Sequence, residues 1–556
     1  MIKRAAGRVP TIDRVRPAAY APFVTSRHRL IAGAGLAVAF VGLNTILTAF
    51  RWIPSASPVL AFVPSLEAAA VVLAGSLPAR LRPHARLLRL VVALPLALLI
   101  AYSSAETFYR YYYARPFDPW TDISFVRGGL YLLFGEIDSG IGIYAALTIV
   151  VIVGIATALA WLITTALVRS AARTGRPLVI MSAAAAAMLV TVVVVPSEDR
   201  LSAVVARGLL PPAADGQVAP SVADGTGADV GNAGEPRPAG LGGADVHLFF
   251  VESYGRTAFT RPEVSRAIVP SVRDHEDALA RAGYHVRSTY LRAPVVGGYS
   301  WVSELAFLTG RDVENQADYD AVMSSDSRTL SGFFADAGYL TLLSMPGTIH
   351  GEWPEAQTFY RFEEVILGDD FDYVGPQFSF VWVPDQLAVA QAYDRLRALR
   401  ARDPSRPAYA QHVLVSSHAP YNRIPPYLTD WGRLGNGAIY NEVDISTYDN
   451  DWLRGSEFLP GYSEAVIYSL DVVFGFLTSV VDEDVVAIVT GDHQPGPQVR
   501  PPGAGPEVPI HIIARDQGLV DSFADLGFSE GLIPSTVPPH EESHWFLDSF
   551  LAVVRE

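Results

Sequence analysis

The chain has 556 residues, half of them hydrophobic, a formal net charge of −15 and no cysteine. That length accommodates more than one domain, and the missing cysteine excludes disulfides, thiolate metal sites and cysteine nucleophiles. The charge is uneven: residues 1–195 hold 18 Lys/Arg against 7 Asp/Glu and residues 196–556 hold 24 against 50, so the second part lacks the basic face that nucleic acid requires.

Five apolar stretches occupy the first part, at 30–50, 59–77, 88–104, 140–168 and 178–195. Most approach the ~20 residues that cross a bilayer as a helix. The second carries Pro64 and Glu67, and the third is short. Arginine and lysine gather in the tail 1–29 (Lys3, Arg4, Arg8, Arg14, Arg16, Arg27, Arg29). They gather again at Arg80, Arg82, Arg86 and Arg89, and at Arg169, Arg173 and Arg176. With five spans these three groups share one side, and positive charge marks the cytoplasmic side. The expectation is a cytoplasmic tail (1–29) and a five-helix transmembrane domain (30–197), with everything after it exported across the plasma membrane. "ETFYRYYYARPFDPW" (106–120) would lie outside. Its rings suit an ordinary interfacial belt or a surface near a lipid substrate. Glu67 is either a functional membrane acid or the sign of a misplaced span.

Residues 198–243 are rich in Ala, Gly, Pro and Asp without apolar periodicity, which reads as a flexible linker. From 244 to 556 the pattern alternates. Strands are expected at 245–251, 284–291, 339–345, 409–417, 484–490 and 508–514. Helices are expected at 264–283, 300–309, 385–401, 462–481 and 541–554. Continuous apolar strands between helices predict an α/β domain with a mostly parallel sheet covered on both faces.

In such sheets ligands sit beyond the carboxyl ends of the strands. "HLFFVES" puts Glu252 there, "VAIVTGDHQ" puts Asp492 and His493, and "VLVSSHAPY" puts His418. "GGYSWVSE" (297–304) opens a helix at Ser300, as a helix cap or as a nucleophile. Glu252, Asp492 and His493 together offer O and N donors for a divalent ion, with a hydroxyl in the fourth position made nucleophilic. His418 would hydrogen-bond the transferring group or move a proton. Singly, each residue reads equally well as a cap, a turn or a surface histidine. Their joint placement at strand ends points to a site.

At these residues the chain resembles the alkaline phosphatase superfamily, in particular the lipoteichoic acid synthase and phosphoglycerol transferase group, with phosphoethanolamine transferases similar. The motifs are "FFVESYG" (249–255), "GGYSWVSEL" (297–305), "SSHAPY" (416–421) and "GDHQP" (491–495). The resemblance implies five membrane spans, an exported sulfatase-like catalytic domain, and one metal ion on Glu252, Ser300, Asp492 and His493. Mn²⁺ is expected first, with Zn²⁺ or Mg²⁺ as alternatives. Ser300 stands where the synthases have threonine, and Ser303 is the alternative nucleophile. The synthases' Phe-Trp-Asn-Arg motif is matched only by "GEWPEAQ": Trp353 is kept, Glu355 replaces the arginine, and Arg361 is the spatial substitute. A serine shortly after Asp-His is replaced near Pro497.

The expectation is a membrane-anchored transferase that moves a phosphoglycerol- or phosphoethanolamine-type group from a phospholipid to a cell-envelope glycan or glycolipid through Ser300. A hydrolase of the same superfamily and a non-catalytic relative are the alternatives. A formylglycine sulfatase is not expected, since there is no cysteine and "SWVSE" lacks the Pro and Arg of a sulfatase signature. A two-zinc phosphatase would need further donors, with His350, His540 and His544 the candidates.

Overall fold

The computed structural model describes residues 238–350, 358–380, 382–450, 456–537 and 540–555, together with 85–122 and scattered positions at 31–65 and 162. The chain divides into two compact units, Met1–Phe108 with Phe117–Pro211, and Tyr109–Pro116 with Pro212–Glu556. In the first, the expected stretch 88–104 falls inside one 28-residue helix, Ala85–Tyr112, whose last turn belongs to the second unit. Among the described residues no helix is long and apolar enough to cross a membrane. Glu67 and nearly all of the stretches 59–77, 140–168 and 178–195 lie outside the described residues, and 30–50 is described only in part.

The second unit is built on an eight-stranded sheet. Its strands are β1 (Asp245–Val251), β2 (His285–Arg292), β3 (Leu340–Met345), β4 (Glu364–Leu367), β5 (Ala408–Leu414), β6 (Val485–Gly491), β7 (Glu507–Ala514) and β8 (Ser529–Glu530). Their order is β8-β2-β7-β6-β1-β5-β3-β4. β1 pairs in parallel with both β5 and β6, and β3 pairs in parallel with β5 and β4. Only β7 and β8 run against the others, through antiparallel pairings of β7 with β6 and β2 and of β8 with β2. The sheet is therefore mostly parallel, as the apolar strands predict.

Alternation within β1 feeds both faces, and every residue of β1 is buried. Phe249 turns to one side, into a cluster with Val264, Ile268, Val272 and Leu279 of α1 (Pro262–Arg281) and with apolar residues of α5 (Asp385–Arg400) and α6 (Phe458–Ser479). The four α1 side chains recur on one helical stripe, and each contributes about 1.5–3 kcal/mol by leaving water. Phe250 turns to the other side, where its ring meets Phe307 of α2 (Ser300–Thr309) edge-on at 5.4 Å. Phe307 in turn stacks at 4.5 Å on Phe546 of α7 (Phe546–Arg555).

Two short helices, α3 (Gln316–Met323) and α4 (Leu330–Asp336), and strands β4 and β8 are additions to the expected elements. Each helix is marked by its cap: the Asn315 side chain accepts from the Ala317 and Asp318 amides, and Thr329 accepts from Gly332. The closing helix starts at Phe546 rather than 541, after a 3₁₀ turn over Ser543–Trp545.

Candidate active site

The parallel strands converge on one edge. β1 ends at Val251, and Glu252 follows with its amide donating to Leu414 O at 3.3 Å. Its neighbour Ser253 takes a left-handed backbone (φ 57°) and turns the chain sharply away. β6 ends at Gly491, and a Cβ there would lie 1.9 Å from the Tyr254 carbonyl oxygen, so glycine alone fits beneath this turn. Asp492 and His493 come next. Ahead of α2, Gly297, Gly298 and Tyr299 have φ of 73°, 147° and 64° in succession. This left-handed run delivers Ser300 as the first helical residue, and a non-glycine there costs on the order of 1–3 kcal/mol.

The three turns bring four side chains together. Ser300 Oγ donates to Glu252 Oε2 at 3.3 Å and lies 3.1 Å from His493 Nε2. His493 Nε2 is 3.5 Å from Glu252 Oε1 and 3.4 Å from Asp492 Oδ2. Ser300 therefore does not spend its hydroxyl on capping α2. Ser303, one turn inward, is buried with no partner for its Oγ and stands apart from the cluster.

Glu252, Asp492 and His493 offer one ligand atom each within 4.8 Å of one another, all three residues buried. Their other atoms are already committed. Asp492 Oδ1 accepts from the Ser253 amide at 2.8 Å and the His493 amide at 2.6 Å, which leaves Oδ2 for the cluster. Glu252 Oε1 accepts from Ser253 Oγ at 2.8 Å. His493 Nδ1 donates to the Gln494 carbonyl at 2.9 Å, since a carbonyl only accepts, and so turns Nε2 inward.

The electrostatics call for a cation. Among the described residues neither Asp492 nor Glu252 pairs with Lys or Arg. Burial, then the Glu252 charge, pushes Asp492 up to about 7. Burial opposes a charge on His493, but the two carboxylates outweigh it and the net direction is upward. Glu304, buried one turn into α2, is pushed up to about 8 by burial, then by Asp492 and Glu252. Protons on these groups hold the place that a divalent ion would take. Two carboxylates, one imidazole and a hydroxyl fit Mn²⁺ or Zn²⁺ better than Mg²⁺, which favours oxygen alone.

His418 follows β5 on the same edge. Its Nδ1 donates to the Ala419 carbonyl at 2.7 Å, and its ring stacks on Phe380 at 3.9 Å. Burial lowers it to about 4, with the charges of His493 and Asp492 reaching it as well, so it is a neutral base at pH 7. Arg361 is not brought to the cluster. Its carbonyl accepts from Thr341 at the amino end of β3, and its guanidinium pairs with Asp336 at 2.7 Å, on the far edge of the sheet. Trp353 and Glu355 lie outside the described residues. His350 meets Asp369 and Asp370 in an exposed group after β3 and β4. His540 packs on Tyr290 and His544 faces Asp312, so neither joins the cluster.

Two features escaped the sequence. One is the environment of Glu304, which the motif "GGYSWVSEL" includes but whose burial beside Asp492 and Glu252 only the structure gives. The other is Tyr112, whose phenol is raised to about 12 by burial and then by the Glu252 carboxylate. The signal for Tyr112 was the aromatic run 111–113 itself, which an interfacial belt explains equally well.

No protein-family model and no curated protein matches the chain. Solved structures do. The lipoteichoic acid synthase LtaP from Listeria monocytogenes is 14% identical at a TM-score of 0.33, over 49% of this chain and 65% of that one, less than two thirds of the synthase's solved length. The periplasmic domain of EptC from Escherichia coli, in complex with Zn, is 14% identical at a TM-score of 0.34, over 56% and 91%. The phosphoglycerol transferase GacH from Streptococcus pyogenes, in complex with sn-glycerol-1-phosphate, is 11% identical at a TM-score of 0.35, over 57% and 86%.

Proposed function

We propose that this chain is a membrane-anchored, metal-dependent transferase that moves a phosphoglycerol- or phosphoethanolamine-type group from a phospholipid to a cell-envelope glycan or glycolipid, through a covalent Ser300 intermediate. The observation that carries this reading is the serine hydroxyl at the start of α2, within 3.3 Å of Glu252 and 3.1 Å of His493 in a buried cluster with Asp492. Glu252, Asp492, His493 and Ser300 would hold one divalent ion, Mn²⁺ by preference. When bound, that ion supplies positive charge that acidifies the hydroxyl and neutralises phosphoryl oxygens.

The chain's own residues do the rest. Ser300 Oγ attacks the donor's phosphorus, the Oγ–P bond forms, and the P–O bond to the lipid breaks. The serine proton ends on the departing lipid alcohol, and neutral His418 is the candidate to relay it. In the second half the acceptor hydroxyl attacks the Ser300 phosphodiester, loses its proton, and restores the serine. Two half-reactions on one nucleophile give ping-pong kinetics. Anchoring in the plasma membrane, with residues 244–556 outside, raises the effective concentration of lipid donor.

Intact-mass measurement of the full chain with Mn²⁺ and vesicles of phosphatidylglycerol or phosphatidylethanolamine tests this. The expected result is a single added glycerophosphoryl or phosphoethanolamine group, mapped to Ser300. Turnover that persists in Ser300→Ala would overturn it. Steady release of the free headgroup phosphate, with no transfer to a glycan, would make the enzyme a hydrolase.

A further inference from the structure

The segment Tyr109–Pro116 belongs to the second unit although some 95 residues separate it from the next part of that unit. Its backbone and rings lie on the turn that carries Ser300. A Cβ on Gly297 would stand 2.8 Å from the Tyr112 carbonyl oxygen and 3.6 Å from that ring. A Cβ on Gly298 would stand 3.3 Å from the Tyr113 ring. On the other side, a Cβ on Gly496 would come within 3.3 Å of the Tyr112 phenol oxygen. Gly496 is three residues past His493. The Tyr112 ring is thus laid between the nucleophile's turn and the ligand loop, at positions where both chains have no side chain. Those two chains are tied together by Gly297 N donating to Gln494 O at 2.9 Å.

The segment is fixed at both ends. The Arg500 guanidinium, buried at the end of the ligand loop, donates to the carbonyls of Tyr111 at 3.2 Å and Tyr112 at 3.5 Å. Arg115 lies over the rings of Tyr109 at 4.9 Å, Tyr299 at 5.0 Å and Tyr113 at 5.9 Å. Tyr113 meets Tyr299 edge-on at 4.9 Å. Tyr299 is the residue before the nucleophile, so the lock acts on Ser300's own turn.

We propose that Tyr112 is a catalytic residue whose phenol O–H donates a hydrogen bond to the phosphoryl group while it is held on Ser300, and that Arg500 is the positioning residue that keeps it there. This rests on the reading of Ser300 as nucleophile. A phenol is a donor at neutral pH, having an ordinary pKa near 10. A fixed donor between the Ser300 turn and the loop after His493 would stabilise charge that grows on phosphoryl oxygens in the transition state. The phosphoryl group is thereby contacted by a part of the chain that precedes the catalytic sheet by more than a hundred residues.

The experiment uses the full chain in vesicles of phosphatidylglycerol with Mn²⁺, and follows Ser300 adduct formation by intact mass. Tyr112→Phe keeps the ring that fills the glycine gap and removes only the hydroxyl. The expected result is a fall of about 100-fold in the adduct rate at saturating lipid, with KM, Mn²⁺ affinity and melting temperature unchanged. A wild-type rate in Tyr112→Phe overturns the proposal while the Ser300 reading stands. A loss of Mn²⁺ affinity in step with rate also overturns it, by placing the phenol's effect on the metal ligands. Absence of any adduct in the unaltered chain refutes the Ser300 reading itself. Arg500→Lys is expected to lower the rate at least tenfold and to lose that effect in the Tyr112→Phe background, which a purely structural arginine would not do.

Discussion

At the scale of single residues, the site depends on atoms that have one task each. Ser300 Oγ is turned to Glu252 and His493, and on the proposed reading it is the nucleophile. Ser300→Ala is therefore expected to lower turnover by at least ~10³-fold, the scale on which nucleophile deletions act. It would remove one proposed ligand of four and leave Glu252, Asp492 and His493 in place, so calorimetry should find Mn²⁺ still bound. Gly491 carries a structural constraint: a methyl there meets the Tyr254 carbonyl at 1.9 Å. Gly491→Ala is expected to destabilise the protein by about 1–3 kcal/mol through forced backbone shifts, read from the urea midpoint. Both the serine and the glycine were legible in sequence as motif positions. Arg361 was not: proximity in sequence to Trp353 suggested a substrate contact, whereas parallel pairing of β3 and β4 sends residue 361 to the amino edge.

At the scale of elements, strands were easier to read than short helices. β1, β5, β6 and β7 are buried along their whole length, so their apolar runs are unbroken, and β1 matches the expected 245–251 to the residue. α2 was placed to the residue as well, because glycines frame it on both sides. α3 and α4 are only 8 and 7 residues long, too short for periodicity to reveal, and only their caps announce them. The same strands bury histidines. His247 and His511 are held down near 3 by burial, and His412 is lowered for the same reason with His247 adding to it. Lowered histidines are neutral in the fold and take up protons on unfolding. Their stability is complete above about 6.5 and is lost as pH falls toward the folded values, at about 1.4 kcal/mol per pH unit for each. Between pH 6.5 and 4.5 the unfolding free energy of His511→Gln should fall less steeply than that of the unaltered chain. Parallel slopes would contradict this.

At the scale of the whole molecule, metal and proton compete for one cluster. Asp492 near 7 and Glu304 near 8 stand above their unfolded values, so in the metal-free protein the contribution of these two groups to stability is lost as pH rises from about 4 to about 8, opposite in sign to that of the buried histidines. On the proposed reading Mn²⁺ would take the place of those protons. Its thermal stabilisation is expected to be larger at pH 8 than at pH 5, and an equal shift at both would contradict the assignment. The membrane arrangement has its own test, made clean by the absence of native cysteine. Ser221→Cys, in the proposed linker, is expected to react with an impermeant maleimide on intact cells; protection until lysis would place residues 244–556 on the cytoplasmic side.

Asp492 shows how tightly fold and chemistry are bound together. One of its oxygens receives the amides of Ser253 and His493, which joins the ends of β1 and β6, while the other faces the His493 ring in the cluster. Asparagine could keep the first task but would point an amide at the cluster, and glutamate would keep the charge but overreach the amides. Drift at this position is thus closed in every direction at once. A descendant that abandoned the chemistry would still be held to aspartate by its architecture, so the residue's persistence alone would be poor testimony that an enzyme is still at work.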